Sequence, residues 1–332
     1  MPSSRSCPTR AYTLPLFTSK ISYMAFFRKG RHASFGILNG FSWHVPGFGG
    51  LFCQLGWFLL GLVAGQILAV IALLAYPTLG LEYVQLISYP IMFIPGMAAS
   101  RFLSSRNMYF EEGYKLDTPV GKINPWMAGL LCCLGTFALG FLMDGVSTLL
   151  PQMPDYLVKT MEALMGGNPI ICFLCLSILA PFFEEWLIRG VLLRGLLNCK
   201  RADGSRGYSP FWSIVVTAAV FALIHMNIWQ ALPAFALGCL FGYVYYKTGS
   251  LKLTILMHFF NNSLAFASGY IWPDNTTSSW TDILSGAQYY AVAAACLAVV
   301  ILVVLRFRKI ETPVRGGCEL IPVEVPAEET RP

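Results

Sequence analysis

The chain has 332 residues, of which 56% are hydrophobic and 12% charged, with a mean hydropathy of +0.60. Soluble domains carry about 25% charged residues, so this composition excludes a soluble globular protein and points to one built largely of membrane helices. The net charge of +6 is no nucleic-acid signal, because the basic residues fall in stretches that flank apolar runs, where they report orientation.

Residues 1–46 hold Arg5, Arg10, Lys20, Arg28, Lys29 and Arg31 and no acidic residue. No apolar core with a small-residue cleavage site follows them, so a signal peptide is not expected. This basic extension is expected in the cytoplasm, disordered over residues 1–20 and, over 21–46, suited either to a membrane surface or to a solvated tail. A membrane domain over 47–306 is then read as eight spans. The first, about 51–76, carries the close-packing pair Gly61-x-x-x-Gly65. The second, about 83–100, is broken by Pro90 and Pro95. The third, about 125–150, ends near Asp144, read as a hydrated helix end. The fourth, 169–197, contains Glu184, Glu185 and Arg189 and exceeds one bilayer thickness, so Arg194 is expected to reach water. The fifth, about 209–226, ends at His225. The sixth, about 229–246, has the pair Gly238-x-x-x-Gly242. The seventh, about 251–270, holds His258 and Asn262, and the eighth covers about 287–305. Residues 307–332 read as a disordered tail.

This layout places 20 of the 23 Lys and Arg residues on one side, with Lys159 alone opposite and Arg189 and Arg194 inside the fourth span. Such asymmetry puts both termini in the cytoplasm, for a protein of the plasma (inner) membrane, or of the endoplasmic reticulum in a eukaryotic host. Of ten cysteines, most sit in apolar runs and read as small core residues, including Cys172-x-x-Cys175. Asn275-Thr276-Thr277 is a glycosylation sequon in an expected outer loop.

Ionisable groups inside spans are expensive and are functional candidates by default. Arg189 lies one turn beyond Glu185, so those two can pair, and Glu184 is left without a local partner. His258 and Asn262 are also four apart and share a helix face. A carboxylate near water can act as general base, helped by a histidine. A second histidine and an asparagine amide can donate to a developing oxyanion. Together these groups would hydrolyse an amide without a covalent nucleophile. Equally, Glu184, His225 and His258 are a catalytic zinc set, or one for another divalent metal. The residues leave metal-free and metal-assisted water activation both open. Helical rise puts His225 about 24 Å and His258 about 10 Å into their spans, so the two can meet only if the fifth helix begins well outside the bilayer or if the turn at 227–233 is buried; a polar cavity reached from the cytoplasm is therefore expected.

Glu184-Glu185-x-x-x-Arg189, Phe221-x-x-x-His225 and His258-x-x-x-Asn262, on successive membrane helices, resemble the three motifs of the CAAX protease and bacteriocin-processing (Abi) family of intramembrane proteases. The resemblance covers about residues 165–270. It implies an all-α polytopic fold, an eight-span layout like that of the prenyl-protein endopeptidase branch, and a membrane-associated or lipid-modified protein or peptide as substrate. It further implies that Glu184 and His225 activate water, that His258 and Asn262 form the oxyanion site, and that Glu185 and Arg189 are structural partners. Every motif position is filled, which argues against degenerate members. The competing reading is a non-catalytic membrane immunity or regulatory protein that binds a peptide or membrane-protein partner. A transporter would show repeated broken helices, and no internal repeat is visible.

Overall fold

Each of the eight apolar runs is a helix in the computed structural model, which describes residues 48–106, 123–198, 207–271 and 279–310. The helices are α1 (Phe48–Ala75), α2 (Leu81–Arg106), α3 (Pro125–Ser147), α4 (Asp155–Met165), α5 (Pro169–Leu197), α6 (Pro210–Ile224), α7 (Ile228–Thr248), α8 (Leu251–Ile271), α9 (Trp280–Ile283) and α10 (Gly286–Arg308). Among the described residues there is no strand. They fall within one unit, Phe41–Pro332.

Five of these helices, α1, α3, α5, α7 and α10, are long and apolar enough to cross a membrane. A helix occupies each of the eight expected spans, but length and composition support only five of them as membrane-crossing, so the count of eight is not confirmed. The reasons are local. Helix α6 has 15 residues, about 22 Å against a hydrocarbon core of about 30 Å. Glu82, Gln85, Pro90 and Pro95 dilute α2, and His258, Asn261 and Asn262 dilute α8. The apolar helices make this an integral membrane protein.

Helix starts follow from capping. Prolines occupy the first helical position of α3, α5 and α6, where a missing N–H costs nothing. Asn124 and Asn168 accept from the backbone N–H groups of Trp126 at 2.9 Å and Ile170 at 3.0 Å. Helix α7 begins on Asn227, which accepts from Gln230 N at 2.9 Å, and ends at Gly249, whose φ of 63° suits glycine.

Between apolar helices in lipid the attraction is close packing, which small residues permit. A Cβ on Gly61 would overlap the carbonyl of Met92, so α1 and α2 touch backbone to backbone. Gly238 and Gly242 bring α7 against Ala218 and Ile214 of α6, each 3.1 Å from an added Cβ. Two cores result. One joins α3, α7, α8 and α10 through Cys132, Phe241, Met257 and Phe307. The other joins α1, α2, α5 and α6 through Phe58, Phe93, Leu187 and Phe221. Helices α5 and α7 are the interior, each 44% buried over its apolar window, against 17% for α1 and α10.

Four readings change. The short helix α4 was not expected. Arg194 does not reach water; it is 4% exposed, because this end of α5 packs against α1 and α6. Asp144 is not a free helix end, since it accepts from Ser279 Oγ at 2.5 Å and Trp280 N at 2.9 Å and so anchors α9. Cys53 faces outward, although Cys132, Cys172, Cys175 and Cys296 are buried core residues as expected. The basic extension, the sequon at Asn275, the tail beyond residue 310, and Lys115, Lys122, Lys200, Arg201 and Arg206 lie outside the described residues.

Candidate active site

Helix α5 is widened by two π-helical sections, Leu174–Leu179 and Trp186–Leu193, which leave Ala180–Glu185 between them as a short α-helical stretch. Such bulges recur at functional sites. Neighbouring residues on a helix diverge by about 100°, so Glu184 and Glu185 meet different surroundings.

Glu185 is 0% exposed and Arg189 1%. The pair read from their spacing is present, with Arg189 Nη1 donating to Glu185 Oε1 at 2.6 Å. Nη2 donates to the carbonyl of Gly238 at 3.0 Å, and the guanidinium lies 4.9 Å from the Phe221 ring centre and 5.4 Å from that of Phe241. A buried ion pair survives only when further bonds compensate its lost hydration, and here α7 and two aromatic faces provide them. The same Glu185 Oε1 lies 3.0 Å from Nδ1 of His258 on α8. A carboxylate bonded to Arg189 is an acceptor, so Nδ1 carries a proton and Nε2 is the nitrogen left for chemistry.

Glu184 is the more open carboxylate, 17% exposed. Its Oε1 accepts the hydroxyl of Tyr89 from α2. Its Oε2 is buried with no hydrogen-bond partner among the described residues and stands 3.8 Å from His258 Nε2. Two polar atoms from α5 and α8 thus lie across a gap slightly too long for a hydrogen bond.

Asn262 sits one turn beyond His258. Its Nδ2 donates to the carbonyl of Leu176, in the first π-helical section, at 2.9 Å, and its Oδ1 accepts from Asn261 at 3.1 Å. One amide N–H of Asn262 is committed to Leu176, and the group carries a second N–H.

His225 stands apart from this group. It follows the last residue of α6, and its Nδ1 donates to the carbonyl of Phe221 at 2.9 Å. Its own carbonyl accepts from Asn227, and the next residue, Met226, takes a left-handed φ of 54°, uncommon for a side chain of its size. The Phe221 ring packs edge-on against both histidines, 5.1 Å from His225 and 5.6 Å from His258. His225 is one turn, about 6 Å, beyond Phe221 along the chain, and the Phe221 ring lies against both imidazoles.

Among the described residues no three His, Cys, Asp or Glu side chains are gathered to hold a metal ion. The set Glu184, His225 and His258 does not fit one as it stands, because His225 is not gathered with the other two. A groove lined by Leu134, Phe137, Val292 and Val299, between α3 and α10, is apolar and away from these groups. Sequence reasoning missed Tyr89 and the bond from Glu185 to His258.

The family model for type II CAAX prenyl endopeptidase, Rce1-like, matches residues 166–264. The CAAX protease resemblance holds over that segment. All seven motif residues, from Glu184 to Asn262, fall inside it, whereas Tyr89 falls outside. That segment, about a third of the chain, is similar to the CAAX prenyl endopeptidase family. No curated protein and no solved structure matches the chain.

Proposed function

We propose that this chain is an intramembrane endopeptidase that cuts near the terminus of a membrane-associated protein or peptide, with a prenylated tail as the favoured substrate class. The observation that carries this reading is the convergence of Glu184 Oε2 and His258 Nε2 inside the segment that matches a protease family. Glu184 Oε2 is the unpartnered oxygen, and it serves as base toward a water molecule; His225 assists through Nε2 once it is brought to that water, since it is not gathered with Glu184 and His258 in the structure. The hydroxide formed adds to the scissile carbonyl carbon. His258, when it carries both protons, and the second N–H of Asn262 donate to the oxyanion. The proton taken from water passes to the leaving nitrogen as the C–N bond breaks. Glu185 fixes the His258 ring, and Arg189 fixes Glu185.

A zinc or other divalent ion, if bound, would take Glu184, His225 and His258 and would polarise water; His225 would first have to be brought to the other two. The lipid bilayer is the second partner, and both termini are assigned to the cytoplasm, on the distribution of basic residues.

Glu184→Gln keeps the shape and removes the base. Protein and peptide termini are compared in host cells holding wild type or variant at equal abundance. A precursor that stays uncut with the variant supports the reading, with the cleavage rate down by about 10²–10⁴. Unchanged termini overturn it in favour of a non-catalytic membrane partner.

A further inference from the structure

Helix α2 lies outside the matched segment, yet it grips α5 at two levels. In its first turn Glu82, 8% exposed, accepts from Asn168 N at 3.1 Å, immediately before α5 begins. A Cβ on Gly167 would overlap that carboxylate, so the fit is close. Seven residues on, two turns along the same face, Tyr89 donates its hydroxyl to Glu184 Oε1. The Tyr89 ring cannot easily follow a moving carboxylate. It packs 5.6 Å from Phe93, and Phe93 stacks on Phe183, the residue before Glu184, with centroids 5.1 Å apart and planes at 18°. Phe58 of α1 braces Phe93 at 5.2 Å.

The terminal torsion of a glutamate is broad and nearly free. A carboxylate in an apolar helix bundle would therefore swing between two or more orientations. With Oε1 held by a wedged phenol, the plane is fixed, and Oε2 is the oxygen turned toward His258 Nε2 at 3.8 Å. A base held in its productive geometry before substrate arrives lowers the barrier without changing how substrate is bound.

We propose that Tyr89 is the positioning residue for Glu184: its hydroxyl fixes Oε1 and presents Oε2 to the reacting water. This rests on the protease reading above. It assigns to α2, which carries none of the three motifs, a defined part in the chemistry. Tyr89 acts through Glu184 and does not itself touch substrate.

The test is Tyr89→Phe, which removes one oxygen and keeps the ring in its aromatic stack, so the variant retains the unfolding profile of wild type in detergent. With a prenylated peptide as probe, kcat falls about 10–100-fold, the factor of one hydrogen bond to a charged group, while KM stays the same. An unchanged kcat overturns the proposal, as does a fall in stability that accounts for the loss. A second measurement needs no substrate. Infrared spectra of ring-labelled tyrosine, with Tyr89 assigned by its absence in Tyr89→Phe, report the C–O band of this side chain. In Glu184→Gln the band shifts, because the acceptor is no longer a carboxylate. A band that does not move overturns the contact. If wild type cleaves no probe, the protease reading fails by itself, and the infrared comparison still decides whether Tyr89 holds Glu184.

Discussion

Glu185 and Arg189 offer the sharpest test of what holds the site together. Both are buried, at 0% and 1% exposure, and each has a second partner, His258 for the carboxylate and the Gly238 carbonyl for the guanidinium. Removing one member of a buried pair strands the other and costs about 3–5 kcal/mol, two to three orders of magnitude in the unfolding constant. Glu185→Gln leaves the Arg189 guanidinium without its ion-pair partner, and Arg189→Met leaves the Glu185 carboxylate with His258 alone. The double variant Glu185→Gln/Arg189→Met strands no charge and costs less than the sum, with a coupling of about 1–3 kcal/mol. The assay is unfolding in mixed micelles with increasing denaturing detergent, followed by tryptophan fluorescence, since buried Trp186 adjoins the pair. Singles that each cost under about 1 kcal/mol, the value of an exposed pair, or costs that simply add, would refute a buried, mutually compensating cluster.

Two further outcomes are expected. Gly61→Leu forces a side chain into the Met92 carbonyl and separates α1 from α2, costing about 1–3 kcal/mol in the same unfolding assay; Gly56→Leu, which meets nothing within 4 Å, changes stability by no more than about 0.5 kcal/mol. Cleavage is expected to survive a strong chelator and dialysis, because His225 is not gathered with Glu184 and His258; one zinc per chain, lost in Glu184→Gln and His258→Ala, would reverse that expectation and show that the site rearranges around an ion.

What could be read from the sequence and what could not divide along one physical line. Contacts within a single helix were legible. Arg189 follows Glu185 by four residues, and they pair; Asn262 follows His258 by four, and both face α5. Long apolar runs marked every major helix, because bilayer thickness imposes length on sequence. Relations between helices left no such trace. Tyr89 is an ordinary aromatic in an apolar stretch, and its partner is 95 residues away. The bond from His258 to Glu185 depends on the register of α8 against α5, which no spacing encodes. The π-helical sections shift hydrogen bonds by one residue without altering composition. Helix α4 is too short and too polar for a hydropathy signal.

The same line explains why the site tolerates so much buried charge. The motif residues are supplied by α5, α6 and α8, but their orientation is held from elsewhere. Arg189 is met by a carbonyl of α7, His258 by a second carboxylate, Glu184 by a phenol from α2. Each carboxylate has one oxygen engaged and one buried without a partner among the described residues. An unpaired buried oxygen costs stability unless something gains from it. In Glu185 the engaged Oε1 serves two donors at once, so its partnerless oxygen is what a rigid scaffold leaves over. In Glu184 the partnerless oxygen lies 3.8 Å from the histidine Nε2, in the more exposed of the two carboxylate side chains. On the protease reading proposed above, that oxygen is the one a water molecule would meet, and its lost hydrogen bond is a stability cost that catalysis would offset.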